Sequence, residues 1–394
     1  MRIAVFSDNY YPELSGVSDS PMITCRELAK RGHQIKFIVP RYSETDYEKI
    51  GAKEKELDLD PNISVHRLPS IHASAASGQG RLALPFGFLS ELKAWKPDIM
   101  HNHLIGGAGL ASILAKKSLK VPLVGTNHTV IRQYIRFSLI RTHWFEEFSV
   151  KYVSWLYNHC DFVSAPSDYI FPEMIKYGFK KPHKAISNPV RIEIFKPGSV
   201  EERAEAKRRF KVGGRTLIFV SHLSLEKRFD VLLRVTAELN KTSNEPTNLL
   251  IAGSGPEEKN LKNLARELGI EDSVNFTGFL NVADQVAAYH ASDIFVIASE
   301  SETQSMTMMN AMACGLPVVA ARAAALPEYV TSMVGFTVEP RNVEEFAQKI
   351  DHLFKNEELR KQLGQAARLE AERFSVENIA TEWENVYREF SGGA

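Results

Sequence analysis

Short runs of β-branched and aliphatic residues alternate with helix-period stretches along the first half of the chain. RIAVFS, IKFIVP, ISVHRLP, DIMH and VPLVGT read as strands, with helical patterns at 18–31, near 85–95 and at 107–118. Strand followed by helix followed by strand implies a parallel sheet covered on both faces. After KPHKAISNPVRIEIFKPGS the chain becomes highly charged (EERAEAKRRF), and the rhythm restarts with TLIFVS, LLIAG, VNFTGF, DIFVIAS and PVVAA. Charged helical patterns at 342–355, 357–373 and 375–390 close the chain. The expected organisation is therefore α/β, with two doubly wound Rossmann-like domains over 1–190 and 191–374. The linker falls near 188–200, and a final helix over 375–394 packs back on the first domain. Two such domains in tandem are expected to face each other across a cleft at the carboxyl ends of their strands, where open parallel sheets bind ligands.

Composition narrows the class. A chain of 394 residues is too long for one comfortable core. Its 44% hydrophobic and 24% charged residues are those of a globular protein. Asp8 and Asn9 interrupt the first apolar run, which is wrong for a secretory leader, and no run of about 18 apolar residues offers a membrane span. Cys25, Cys160 and Cys314 lack the close spacing of a metal or redox pair and read as core residues of a cytoplasmic protein. Net charge is zero but polarised: residues 1–200 hold 26 Lys/Arg against 19 Asp/Glu, residues 201–394 hold 22 against 29. No carboxylate occurs between Asp98 and Glu146. Neutral net charge and the lack of a binding motif count against nucleic acid. The first half, by contrast, is suited to an anionic neighbour.

The candidate chemistry gathers where strands end. Pro12–Val17 follows the first strand and opens a helix, with Gly16 allowing close backbone approach to an anion at the helix start. It lacks the three-glycine spacing of a dinucleotide fingerprint, which counts against a nicotinamide enzyme. His101 and His103 end DIMH, and Asn127–His128–Thr129 end VPLVGT. His101 reads as a structural hydrogen-bonder, whereas His128 is placed to face a site; no carboxylate or Cys lies near to complete a metal set. In the second half TLIFVS leads into Ser221, His222 and then Lys227, basic groups able to neutralise a leaving diphosphate. LLIAG leads to Gly253 and Gly255, where the ligand is expected to approach closely, and VNFTGF to Gly278 and Phe279. DIFVIAS leads to Glu302, then to Ser305, Met306 and Thr307 at the start of a helix whose free N–H groups suit a phosphate.

These stretches, in this order, resemble family 4 of the glycosyltransferases. The matching segments are PELSGV with RGH, PDIMHNH, VGTNHT, ISNPV with IFKP, LSLEKRFDVLL, AGSGPE, FTGF, and ESETQSMTMMNAMACGLPVVAA with LPEYV. The resemblance spans essentially the whole chain and implies the GT-B fold, metal-independent transfer with retention, and no cofactor beyond a nucleotide-diphospho-sugar substrate, UDP- more than GDP-. It implies acceptor binding mainly by the first domain and donor binding by the second. Gly16 would then lie under the diphosphate, His128 beside the donor sugar, and Lys227 on the diphosphate. Glu302 would meet sugar hydroxyls, the N–H groups of Met306 and Thr307 the phosphates, and Gly278 with Phe279 the base. The chain departs from the family at Ser221–His222, where Gly-Arg is usual, at Asn310, where a second glutamate is usual, and at Ser305 and Ala323–Ala325, where glycines are common.

The wording Glu302–Thr303–Gln304 resembles members that glycosylate membrane lipids such as diacylglycerols. Residues 131–157 interleave basic and aromatic side chains, among them Arg132, Tyr134, Arg136 and Trp144. Such a segment suits an anionic membrane interface or an amphipathic helix packed on the sheet. Two other readings stay open: a degenerate protein that binds nucleotide-sugar without turnover, and a GT-B epimerase or phosphorylase.

Overall fold

The structure, a computed structural model, describes residues 1–13, 16–48, 59–73, 80–130, 132, 143–243 and 245–392. It divides into two compact units, Met1–Pro189 with Val376–Ala394, and Val190–Ser375.

The first unit carries β1 (Arg2–Phe6), α1 (Gly16–Lys30), β2 (Gln34–Pro40), α2 (Glu44–Glu48), β3 (Ile63–Leu68), β4 (Ser70–His72), β5 (Arg81–Ala83), α3 (Leu89–Trp95), β6 (Ile99–Asn102) and α4 (Gly107–Leu119). It continues through β7 (Leu123–Thr126), α5 (His143–Tyr157), β8 (Phe162–Ala165), α6 (Phe171–Lys176) and β9 (His183–Ala185). Its seven-stranded sheet runs β3-β2-β1-β6-β7-β8-β9, with β4 and β5 forming a separate antiparallel pair. The pairings in the large sheet are parallel, as strands buried on both faces require. The helix expected near 85–95 starts only at Leu89, and β4, β5, β8 and β9 add to the strands read from the pattern.

The second unit carries α7 (Val200–Arg209), β10 (Arg215–Val220), α8 (Phe229–Thr242), β11 (Thr247–Ala252), α9 (Glu258–Glu267), β12 (Val274–Gly278), α10 (Val282–His290), β13 (Ile294–Ile297) and α11 (Met306–Ala313). Then follow β14 (Val318–Ala321), α12 (Leu326–Tyr329), β15 (Gly335–Val338), α13 (Val343–Lys355) and α14 (Glu357–Glu372). The six-stranded parallel sheet has the order β12-β11-β10-β13-β14-β15. A last helix, α15 (Val376–Ser391), belongs to the first unit and packs on α1. There Arg31 and His33 bond the Glu384 carboxylate at 2.8 and 2.7 Å.

Both sheets reverse direction of growth beside their first strand, between β1 and β6 and between β10 and β13. At such a switch point neighbouring loops diverge and leave a crevice at the strand carboxyl ends. The residues that follow those four strands are therefore the ones the fold sets up for ligands. Among the described residues no helix is long and apolar enough to cross a membrane.

Candidate active site

In the second unit the switch point joins the loops after β10 and β13. A 3₁₀ turn, Leu225–Lys227, presents the Lys227 ammonium, whose Nζ lies 2.7 Å from Oε1 of Glu302. Glu302 is only 8% exposed, so each charge is held mainly by the other. The Glu300 N–H donates to Glu226 O and the Ala325 N–H to Glu302 O, fastening the same loops through backbone. Glu300 also takes a two-pronged contact from Arg341 at 2.6 and 2.8 Å, which holds its carboxyl below the usual range.

Three residues further, Ser305 caps α11. Its Oγ accepts from the Met308 N–H and its carbonyl from the Met309 N–H, leaving those of Met306 and Thr307 outside the helix ladder. Both residues are half-buried, and the helix dipole adds its positive end there. Asn310, half-buried one turn on, has no side-chain hydrogen bond among the described residues.

Gly253 and Gly255 are required by the packing of the chain itself. A Cβ on Gly253 would stand 1.9 Å from the Ser221 carbonyl oxygen, and one on Gly255 2.4 Å from that of Leu223. Gly253 has φ +136° and donates to Gly278 O at 2.8 Å, while Leu223 N–H donates to Ser254 O. What approaches closely is the neighbouring loop, which locks the backbone from Ser221 to Lys227 in place. His222 and Phe279 are exposed beside it, Phe279 by 69%.

In the first unit the switch point is filled from within. Asp8, after β1, is buried and accepts from the N–H groups of Gly106, Ala108 and Gly109 at 3.0, 2.8 and 3.4 Å, capping α4. Burial outweighs these bonds and raises its carboxyl above the usual range. The anion position of that helix is thus taken by the chain's own carboxylate. Gly16 opens α1 and is exposed.

His128 is buried rather than open, and is joined to a histidine cluster the sequence reading did not foresee. Nδ1 of His103 lies 3.1 Å from Nε2 of His128. His101 Nδ1 meets the Tyr387 hydroxyl at 2.7 Å and Nε2 meets Thr126 Oγ1 at 2.8 Å, consistent with a structural role. Burial lowers all three imidazoles, His128 to about 4, so the cluster is neutral at physiological pH. The spacing of His101 and His103 was visible in the sequence; their meeting with His128 depends on β6 and β7 pairing in register.

Of the residues expected at an interface, Tyr134 and Arg136 lie outside the described residues. Arg132 does not present a free charge: Nε bonds Glu173 at 2.5 Å, Nη1 bonds Glu146 at 3.2 Å and Nη2 the Tyr177 hydroxyl at 2.8 Å. A guanidinium beside two carboxylates satisfies its donors within the unit. Trp144 is 67% exposed on α5.

The comparisons with known proteins agree with this geometry. Residues 15–194 match the family described as Glycosyltransferase Family 4, and residues 200–370 that described as Glycosyl transferases group 1. Alpha-monoglucosyldiacylglycerol synthase of Streptococcus pneumoniae is 30% identical over 330 residues, covering 81% of this chain and 71% of the relative. The chain belongs to family 4 of the glycosyltransferases. A second alpha-monoglucosyldiacylglycerol synthase, from Acholeplasma laidlawii, is 25% identical across 98% of this glycosyltransferase and 96% of its own length. Among solved structures, Anabaena HepE in complex with UDP superposes with a TM-score of 0.78 at 19% identity, covering 99% of this chain and 100% of that one. That likeness, with the two parallel-sheet units, establishes the GT-B fold.

Proposed function

We propose that this glycosyltransferase moves a hexosyl group from a UDP-sugar, with retention and without a divalent cation, to a hydroxyl of a membrane lipid such as a diacylglycerol. The observation that carries the proposal is the meeting of Lys227, Glu302 and the start of α11 at the second unit's switch point. In this reading the second unit binds the donor, with Ser221, His222, Gly253, Gly255, Gly278 and Phe279 framing the nucleotide. The α11 N–H groups and Lys227 stabilise the departing diphosphate, the charge that develops most in the transition state. Lys227 exchanges Glu302 for phosphate oxygens, releasing the carboxylate to accept from sugar hydroxyls. His128 of the first unit serves the transferred sugar and Gly16 the diphosphate. The leaving phosphate takes the acceptor proton, so no pair of opposed carboxylates is needed.

A lipid acceptor is supported by an exposed aromatic and basic face of the first unit. Trp144, Phe148, Lys151 and Trp155 are exposed on α5 at intervals that put them on one side of the helix, the three aromatics by 67%, 59% and 50%. Leu114 and Lys117 of α4 and Ile175 and Lys176 of α6 are exposed as well. The carboxylates of these helices, Glu146, Glu147 and Glu173, are only partly exposed, and Arg132 holds two of them. Aromatics interleaved with lysines suit the anionic surface of a bilayer. The relatives from S. pneumoniae and A. laidlawii, both alpha-monoglucosyldiacylglycerol synthases, support the same acceptor class.

The test is incubation of the protein with UDP-glucose and vesicles of diacylglycerol in phosphatidylglycerol, with and without chelator, read by mass spectrometry and by the anomeric NMR signal of the product. An α-linked glycolipid formed equally in both conditions is expected. Transfer only to soluble acceptors, a β-linked product, or an absolute need for magnesium or manganese would each remove the corresponding part of the proposal. Trp144→Ser with Phe148→Ser and Trp155→Ser should abolish co-sedimentation with these vesicles while UDP still binds.

A further inference from the structure

The histidine cluster of the first unit is more elaborate than packing requires. A neutral imidazole offers one N–H and one lone pair, so a hydrogen bond between two neutral rings must use the proton of one and the lone pair of the other. At 3.1 Å, Nδ1 of His103 and Nε2 of His128 therefore share one proton, and the tautomer of one ring dictates that of the other. His103 has little freedom to turn. Its ring lies against that of His101, tilted by 33° with centroids 3.9 Å apart, and His101 packs against Trp383 at 4.3 Å. His101 is pinned at both nitrogens, by Tyr387 and Thr126. Trp383 and Tyr387 belong to α15, so the last helix of the chain buttresses His101, against which His103 rests.

We infer that His103 is a positioning residue for His128: its hydrogen bond couples the tautomers of the two rings and holds the His128 imidazole in one orientation, and the contact through His101 onto α15 holds His103. The consequence for transfer rests on the reading of His128 as a contact of the donor sugar; the tautomer itself does not. Groups that orient a functional histidine in this way typically alter rates by about 10–100-fold when removed.

The experiment uses the full chain labelled with ¹⁵N at histidine, and long-range ¹H–¹⁵N correlation spectra of wild type, His103→Phe and His103→Asn at pH 7. Wild type should show His128 as a single neutral tautomer. In His103→Phe the His128 nitrogen shifts should change, and kcat for UDP-glucose-dependent transfer should fall about tenfold with the donor KM within about twofold. The amide of His103→Asn reaches close to the position of Nδ1, where its oxygen or its NH2 can meet Nε2 of His128, and should restore the ring orientation and most of kcat. Should His103→Phe fail to fold, His103→Gln, whose amide sits one bond further out, serves as the variant with a misplaced partner. Unchanged His128 shifts in the Phe or Gln variant would overturn the inference. Altered shifts with unchanged kcat would overturn the positioning role. If wild type transfers no sugar at all, the functional reading fails, while the spectra still decide the tautomer.

Discussion

Nζ of Lys227 sits 2.7 Å from Oε1 of Glu302, although the two residues are 75 positions apart in the chain. The contact ties the β10 loop to the β13 loop and neutralises a carboxylate that is almost fully buried. Lys227→Ala should leave that carboxylate without its cation, and Glu302→Ala the reverse. A double-mutant cycle by chemical denaturation should therefore give a coupling energy of about 1–3 kcal/mol, the double variant being less destabilised than the sum of the singles. Each single change should also lower turnover at least about tenfold, the worth of one charge-assisted hydrogen bond in the transition state. Additive stabilities together with normal rates would remove the pair from the site.

Gly253 should not tolerate a side chain. Its φ of +136° and the Ser221 oxygen 1.9 Å from an added Cβ combine strain with a clash against backbone that cannot swing aside. Gly253→Ala should cost about 3 kcal/mol or more and weaken UDP binding, because the loop leading to Lys227 must shift. Gly269→Ala serves as the control: its φ is +66° but nothing lies within 4 Å, so a loss of only about 1 kcal/mol is expected. Equal losses in the two variants would argue against the loop-locking role.

The neutral histidine cluster gives stability a definite pH dependence. In the unfolded chain His101, His103 and His128 bind protons near pH ~6.5, whereas burial holds them neutral in the fold down to much lower pH, about 4 for His128. Between those limits the unfolded state binds more protons, so stability is full above about pH 6.5 and falls as pH drops, by up to about 1.4 kcal/mol per pH unit for each histidine. Asp8 and Glu13, raised by burial, act in the opposite sense. The comparison that isolates the cluster is urea unfolding at pH 7.5 and 5.5 for wild type and His103→Asn. The variant should lose about one histidine's share of the slope. Identical slopes would mean that His103 is protonated in the fold.

Asn310 stands where a glutamate is usual in the family, and its amide is half-buried near the start of α11. A carboxylate there would accept from both ribose hydroxyls, whereas an amide offers one neutral acceptor. The difference between charge-assisted and neutral bonds is about 1 kcal/mol. Asn310→Glu should thus tighten UDP binding by about three- to tenfold in calorimetry. A weaker complex would show that the nucleotide lies differently in this protein.

Much of this protein could be read from its sequence, because its determinants are local. β-branched runs of four to seven residues separated by helix-period stretches specify parallel strands and covering helices wherever they occur. Motifs such as ESETQSMTMMN place a carboxylate and a helix start a fixed few residues apart. Strands β8 (FVSA), β9 (HKA) and β15 (GFTV) interrupt their few apolar residues with small or polar ones, carry too little pattern to stand out and exist because a neighbouring edge was there to pair with. Only the tertiary structure could decide the pairings between distant segments. Lys227 meets Glu302 because β10 and β13 are sheet neighbours, and Asp8 caps a helix about 100 residues away because β1 and β6 are. Arg132 looked like a free cation in a stretch poor in acids, yet Glu173 and Glu146 are folded onto it. Gly253 and Gly255 looked like openings for a ligand and prove to be clearance for a neighbouring backbone. In each case the chain specifies which group is present, and long-range packing selects its partner, since a charge or a hydrogen-bonding group taken from water must be satisfied by whatever the fold brings beside it.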